Sequence, residues 1–312
     1  EANKPGTHWD REVKLPFFSF SSVSAATNNF SATNKLGEVG FGPVYKGILL
    51  NGNEIAVKRL SRRSGQGWEE LKNEALLIAK LQHKNLVRLL GCCTELEKIL
   101  IYEYITKKNL GFFIFDSTKR RSLDWGIRVR IVEGIAKGLL YLQFSRFRFI
   151  HRDLKASNIL LDGNMNPKIS DFGQARIFGG DELQANRKRI VGTYGYMPPE
   201  YALKGFYSEK SDVYSFRVSL LEIVSGRKNT SFHQSESLHL LGYAWDLWVS
   251  NRVLNLVDPL LGEVPTHMAM RYVNIGLLCV QENADDRQTM SGVVSMLNSE
   301  SMILLSPKQP AF

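Results

Sequence analysis

His151-Arg152-Asp153-Leu154-Lys155-Ala156-Ser157-Asn158 runs into Ile159-Leu160-Leu161, and after a short turn comes Asp171-Phe172-Gly173. Asp153 offers a carboxylate to accept a proton and Lys155 an ammonium two residues on. Asn158 and Asp171 offer oxygens of the kind that hold a hard cation. A proton acceptor, a fixed cation and metal-holding oxygens on rigid turns are what phosphoryl transfer requires, because that reaction asks a protein mainly to position reactants and neutralise developing charge. The plainer alternative makes Asp153 and Asp171 ordinary turn residues beside strand ends.

The elements that would carry these groups need a large core. At 312 residues and 44% hydrophobic, the chain suffices for one large domain or two closely joined lobes. Its 40 basic and 31 acidic side chains leave a formal charge of +9, which suits nucleotide phosphates, nucleic acid or an anionic membrane face. With no Arg-rich run interleaved with aromatics, nucleic acid is not expected as a partner. Cys92, Cys93 and Cys279 form no C-x-x-C pair and read as buried thiols of a reducing compartment. No apolar run approaches the roughly 18 residues that span a bilayer, and the start lacks the form of a signal peptide, so the chain as given is expected to be soluble. It begins at Glu1 and reads as a piece of something longer.

Residues 1 to 30 mix Pro5, Gly6 and Pro16 with a Ser/Thr/Asn-rich run and with Phe17, Phe18, Phe20 and Phe30, the pattern of a leader with docking aromatics and one short helix over Ser21 to Asn29. Strands are predicted at Lys35 to Gly37, Val44 to Ile48, Glu54 to Lys58, Asn85 to Cys93 and Ile99 to Ile105, with a turn at Asn51-Gly52-Asn53. Gly37-Glu38-Val39-Gly40-Phe41-Gly42-Pro43-Val44 is a glycine-rich hairpin whose backbone is suited to lying over phosphates. Trp68 to Gln82 is helical by period, with Leu71, Ala75, Ile78 and Leu81 on one side. Glu74 shares that side, whereas Glu69 and Glu70 face solvent, so Glu74 is the acid placed to reach Lys58. From Asn109 the pattern turns helical, most clearly over Trp125 to Phe144, where Ile127, Ile131, Ile135, Leu139 and Leu142 recur at helical spacing.

Together these residues resemble plant receptor-like serine/threonine protein kinases, specifically the cytoplasmic kinase domain of the S-domain (lectin-type) or cysteine-rich subfamilies. The catalytic stretch fits H-R-D-L-x-x-x-N at every defined position, D-F-G follows, Ile55-Ala56-Val57-Lys58 fits V-A-I-K, and Pro198-Pro199-Glu200 stands at the A-P-E boundary. The likeness extends to Asn85 to Gly91, Ser225-Gly226-Arg227-Lys228, Leu241 to Trp245 and Pro307 to Pro310. It implies an α+β, two-lobed protein kinase fold: a small five-stranded antiparallel sheet plus one helix, and a large, mainly helical lobe. The implied divisions are a juxtamembrane leader (1–30), a small lobe (31–104), a large lobe (105–300) and a C-terminal tail (301–312).

The resemblance also implies roles. Asp153 accepts the proton of the substrate hydroxyl, Lys155 steadies the moving phosphoryl group, and Lys58, aimed by Glu74, holds the α- and β-phosphates of ATP. Leu36, Gly37, Glu38, Val39, Gly40, Phe41, Gly42 and Val44 cover the nucleotide. Val44, Ala56 and Leu160 sandwich the adenine, and Glu103 to Ile105 form the connector that hydrogen-bonds it, with Tyr102 at its inner gate. Asn158 and Asp171 hold Mg2+. His151, Phe172 and Ile78 stack, Arg287 pairs with Glu200, and Asp212 braces the catalytic loop. Lys155 and Thr193 point to serine/threonine specificity. Implied partners are protein substrates carrying Ser or Thr and other receptor kinases in homo- or heterodimers. The membrane is met only through a span outside this chain, at the cytoplasmic face of the plasma membrane.

Several residues depart from the family pattern. Val39 replaces the second glycine of G-x-G-x-x-G-x-V, adding β-branched bulk where left-handed freedom is useful. Arg217 stands where glycine usually follows Ser215-Phe216, inside an apolar helix where an unpaired guanidinium costs several kcal/mol. Gln143 and Gln288 replace histidine and proline. Arg152 implies activation by a loop phosphate, yet between Asp171 and Glu200 the only hydroxyl residues are Thr193, Tyr194 and Tyr196. Loop activation is therefore expected to be weakened, with Asp181 and Glu182 supplying partial constitutive charge. Val39 and Arg217 also motivate the alternative of a catalytically weakened, pseudokinase-like scaffold.

Overall fold

The computed structural model describes residues 15–39, 42–60, 65–177, 185–186, 190–231, 239–280 and 283–309. Gly40, Phe41, Asp181 and Glu182 lie outside them, as do the side chains of Val39, Glu69, Glu70 and Leu71. Two compact units form, Glu1–Thr106 with Ser170–Ala175, and Lys107–Ile169 with Arg176–Phe312.

The first unit comprises α1 (Phe20–Ala26), β1 (Lys35–Val39), β2 (Gly42–Ile48), β3 (Glu54–Arg59), α2 (Gly65–Ile78), β4 (Leu89–Cys93) and β5 (Ile99–Glu103). Its sheet is antiparallel, in the order β1-β2-β3-β5-β4. Alternation along β3 buries Ile55 and Val57 against Tyr45, Cys93, Ile99 and Ile101, and Phe18, Phe20 and Phe30 pack onto this cluster. The docking aromatics of the leader thus cover the sheet, while Phe17 is 45% exposed. Gly42 is required by close approach, since a Cβ there would fall 1.9 Å from the Arg59 carbonyl oxygen. Val39 sits in the extended backbone of β1 opposite Gly42, so no left-handed φ is asked of it.

Several boundaries differ from the sequence expectation, and three of them have a clear local reason. Helix α1 stops at Ala26 because Asn28, Asn29 and Phe30 take φ of 52°, 55° and 54°. Strand β4 starts at Leu89 rather than Asn85, because the Arg88 N–H goes to the Glu103 side chain (2.8 Å) instead of continuing the ladder. Helix α2 ends at Ile78, where the amides of Lys80 and Leu81 turn to the carbonyls of Leu77 and Ile78 in tighter i to i+3 bonds.

The second unit carries α3 (Leu110–Ile114), α4 (Trp125–Phe144), β6 (Phe149–Ile150), β7 (Ile159–Leu161), β8 (Pro167–Ile169), β9 (Arg176–Ile177), β10 (Ala185–Asn186), α5 (Pro199–Lys204), β11 (Phe206–Tyr207), α6 (Glu209–Ser225), α7 (Leu240–Val249), α8 (Thr266–Leu278) and α9 (Met290–Asn298). Helix α4 occupies the predicted span and is capped by Asp124, which accepts from the Ile127 N–H at 2.7 Å. The central pillar is α6, buried all round from Ser211 to Ser225. Ser208 and Ser211 cap its start reciprocally, and Gly226 at φ 66° ends it. A side chain at Gly226 would meet Arg120 and Asp258 within 2.8 Å. The whole is α+β. All three cysteines are buried and unbridged. No helix of the described residues is long and apolar enough to cross a membrane.

Candidate active site

In the first unit, β3 delivers Lys58 and α2 delivers Glu74, whose 2% exposed carboxylate lies on the packed side of the helix with Ala75 and Ile78. The Lys58 ammonium lies 2.8 Å from Glu74 Oε2 and 3.0 Å from Asp171 Oδ1. Burial works against this ammonium, but the two carboxylates outweigh it and hold its pKa above the ordinary lysine range. Asp171 has a left-handed backbone, φ 63° and ψ 73°. Bonds from both sides secure that turn: the Phe172 N–H donates to Glu74 Oε1 (3.3 Å), and Asn73 Nδ2 donates to the carbonyls of Gly173 (3.3 Å) and Ala175 (2.9 Å). Sequence reasoning missed Asn73; its place beside Glu74 is the only signal that could have found it. Ala56 lies in β3 opposite Tyr102, and the buried Tyr102 hydroxyl is pushed well above its usual pKa by desolvation and then by Glu74. Leu36, Gly37 and Glu38 lie on β1 and Val44 on β2. Glu103 ends β5, and Ile105 follows, 9% exposed.

In the second unit the catalytic loop is braced from beneath. Asp212, fully buried at the start of α6, accepts the N–H groups of His151 (2.7 Å) and Arg152 (2.9 Å). Desolvation raises its pKa, against those two donors and the neighbouring charges. The Asp153 carboxylate receives three donors: Thr193 Oγ1 at 2.6 Å on Oδ1, and Lys155 Nζ at 2.8 Å and Asn158 Nδ2 at 3.1 Å on Oδ2. Lys155 also donates to Thr193 Oγ1 at 2.8 Å. Leu160 lies in β7, and Arg287 pairs with Glu200 through two bonds of 2.5 and 2.9 Å. Gln143 is accommodated by donating to the Glu209 carbonyl at 3.2 Å.

Arg152 departs from expectation. It is 4% exposed, donates to the Tyr201 hydroxyl, and lays its guanidinium 4.4 Å from the Tyr207 ring centroid and 5.2 Å from that of Tyr201. These rings attract the guanidinium without a phosphate, although its Nε has no hydrogen-bond partner among the described residues. Arg217 is 1% exposed over the Tyr214 ring at 4.7 Å, its Nε unpartnered; desolvation brings its pKa down to about 10.

The loop after Thr193 is stapled to α6. Tyr196 donates its hydroxyl to Glu222 Oε1 (2.6 Å), Asn229 donates its N–H to the same oxygen (2.9 Å), and Ser215 Oγ donates to the Tyr196 carbonyl (2.7 Å). Burial pushes Glu222 up to about 7, although Tyr196 and Asn229 favour its anion. Because the folded pKa exceeds the ordinary glutamate value, this carboxyl contributes stability that is full below about pH 4.5 and declines as pH rises through 7. Glu222→Gln should flatten the stability profile between pH 5 and 8 by on the order of 2 kcal/mol in denaturant melts, with the largest gain over wild type at pH 8. Parallel profiles would show that Glu222 titrates elsewhere.

Residues 30–297 match the family model described as protein tyrosine and serine/threonine kinase, and the chain belongs to that family. Among its relatives in Arabidopsis thaliana are the G-type lectin S-receptor-like serine/threonine-protein kinases RKS1, 58% identical over 97% of this chain and 37% of the relative, and B120, 58% identical over 96% and 36%. The receptor-like serine/threonine-protein kinase SD1-7 is 57% identical over 96% of this chain and 36% of its own length. The chain therefore spans little more than a third of the curated relatives it matches. The family generally uses ATP and Mg2+ and acts on proteins.

Proposed function

We propose that this chain is an ATP- and Mg2+-dependent protein serine/threonine kinase, the cytoplasmic signalling part of a plant receptor-like kinase whose remaining length holds an extracellular domain and one membrane span. In this reading residues 1–30 are the juxtamembrane leader, 31–104 and 105–300 the two lobes, and 301–312 the tail. The observation that carries it is the Lys58 ammonium held by both Glu74 and Asp171, residues far apart in sequence, at 2.8 and 3.0 Å.

Lys58 holds the α- and β-phosphates, with Glu74 fixing the direction of its side chain. Leu36 to Phe41 with Gly42 and Val44 cover the nucleotide, Ala56 and Leu160 pack on the adenine, and Glu103 and Ile105 supply backbone hydrogen bonds to it. Asp153 takes the proton of a serine or threonine hydroxyl, for which its two oxygens retain acceptor capacity beside the three donors that orient them. Lys155 meets the charge that develops on the transferred group. Asn158 and Asp171 would hold Mg2+ through an amide and a carboxylate oxygen, donors of the kind that hard cation takes. The metal neutralises phosphate charge when bound. The substrate is a protein segment carrying Ser or Thr, and dimerisation with other receptor kinases brings two such chains together at the cytoplasmic face of the plasma membrane.

Neither departure favours a nucleotide-free scaffold. The backbone at Val39 is extended, and Arg217 lies within α6. ATP with Mg2+ should raise the melting temperature by several degrees, and labelled phosphate should pass to serine or threonine of a basic protein substrate. A melting shift without transfer would leave a nucleotide-binding scaffold; the absence of both shift and transfer would end the kinase reading.

A further inference from the structure

Resting on the kinase reading above, we propose that Tyr194 is the phosphorylation site of the segment between Asp171 and Glu200, and that a phosphate there turns the enzyme off. The segment contains three hydroxyls, and the structure has committed two of them. Thr193 Oγ1 donates to Asp153 at 2.6 Å and accepts from Lys155 at 2.8 Å, so a phosphate on it would dismantle the catalytic carboxylate's setting. Tyr196 is 5% exposed and donates to the buried Glu222 at 2.6 Å. Tyr194 is 82% exposed. It rides on a turn bounded by Gly192 at φ 128° and Gly195 at φ 87°, conformations that let the chain present the side chain between them outward.

The direction of the effect follows from Arg152. In a loop-activated kinase such an arginine receives the phosphate. Here its guanidinium is buried against Tyr201 and Tyr207 and donates to the Tyr201 hydroxyl, which in turn donates to the Val191 carbonyl at 2.7 Å. A phosphate on Tyr194 would have to break that arrangement to use Arg152. What lies one residue away instead is the Thr193–Asp153–Lys155 set. A phosphate of about −1.5 to −2 charge on the residue that follows Thr193 would add repulsion towards the Asp153 carboxylate and would draw on Lys155, whose ammonium now holds both Asp153 and Thr193. Both effects oppose transfer to an incoming hydroxyl.

In the modification, Tyr194 Oη forms a bond to the γ-phosphorus of ATP held by a tyrosine-directed kinase acting in trans. The bond from that phosphorus to the bridging oxygen breaks, ADP leaves, and the phenolic proton passes to the modifying kinase's carboxylate base.

The test uses the full chain carrying Asp153→Asn as substrate, with ATP and Mg2+, in two arms: a broad-specificity tyrosine kinase, and the wild-type chain as the modifying enzyme. Peptide mass spectrometry should place phosphate on Tyr194, with Thr193 and Tyr196 unmodified. Label in the second arm names another copy of this chain as the source, and label in the first alone names a different kinase; both support the site. Wild type so treated and then freed of the tyrosine kinase should lose roughly tenfold or more in transfer to a serine peptide, and Tyr194→Phe treated identically should lose none. Phosphate on Thr193 or Tyr196 with Tyr194 unmodified, no label in either arm, or full activity of the Tyr194-phosphorylated chain would each overturn the proposal. Because the mapped protein is itself inactive, the site is tested even if the chain proves not to be a kinase.

Discussion

Asp153→Asn is expected to lower kcat for phosphate transfer to a serine peptide by about 10² to 10⁴, the span attributed to a positioned general base. The geometry makes this a clean loss of proton acceptance. Lys155 and Asn158 donate to one carboxylate oxygen at 2.8 and 3.1 Å, and Thr193 shares a hydrogen bond with the other at 2.6 Å. An asparagine can turn its oxygen to the two fixed donors and its NH2 to the Thr193 hydroxyl, which is able to reverse and accept. The hydrogen-bond pattern survives, and the melting temperature should hold, as should the shift produced by ATP with Mg2+. A variant retaining more than about a tenth of wild-type kcat would show that Asp153 is not the base.

Arg217→Met is expected to stabilise the protein, by about 1 to 3 kcal/mol, read as a rise of several degrees in melting temperature. The guanidinium is 1% exposed within the buried stretch of α6 from Ser211 to Ser225, and its Nε lacks a hydrogen-bond partner. Its nearest compensation is the Tyr214 ring at 4.7 Å, worth roughly 2 kcal/mol when desolvated, against a burial penalty of several kcal/mol for the cation. Methionine keeps an unbranched stem of similar reach and removes the charge. The charge also favours the anion of buried Glu222, so Arg217→Met should move the Glu222 midpoint further up from about 7. A lower melting temperature would mean that Arg217 has a compensating partner and belongs to the packing of the pillar.

The family signatures at residues 151–158 and 171–173, the alternation of β3 and the helical period of α2 made the choice of Lys58, Glu74, Asp153, Lys155, Asn158 and Asp171 legible from sequence. Glu74 shares a helical face with Ala75 and Ile78, which its period makes legible, while the side chains of Glu69 and Glu70 lie outside the described residues. The span of α4 was likewise legible, its apolar residues recurring over five turns after the Asp124 cap. Short-range patterns of this kind are carried by neighbours a few residues apart, and a reader of the chain sees those neighbours.

The partners of buried polar groups are chosen differently. Lys58 and Asp171 are 113 positions apart, Arg152 and Tyr201 49, Tyr196 and Glu222 26. Which of several hydroxyls, rings or carboxylates a desolvated group meets depends on how whole elements pack, and no local period encodes it. So the sequence by itself determined that this chain carries the signatures of the protein kinase family and the strands and helices to hold them. Only the tertiary structure decided that Arg152 is seated on two tyrosines, that Arg217 is sealed inside α6, and that of three hydroxyls after the D-F-G turn one remains on the surface. Burial makes an unmet donor costly, so the packing assigned the partners.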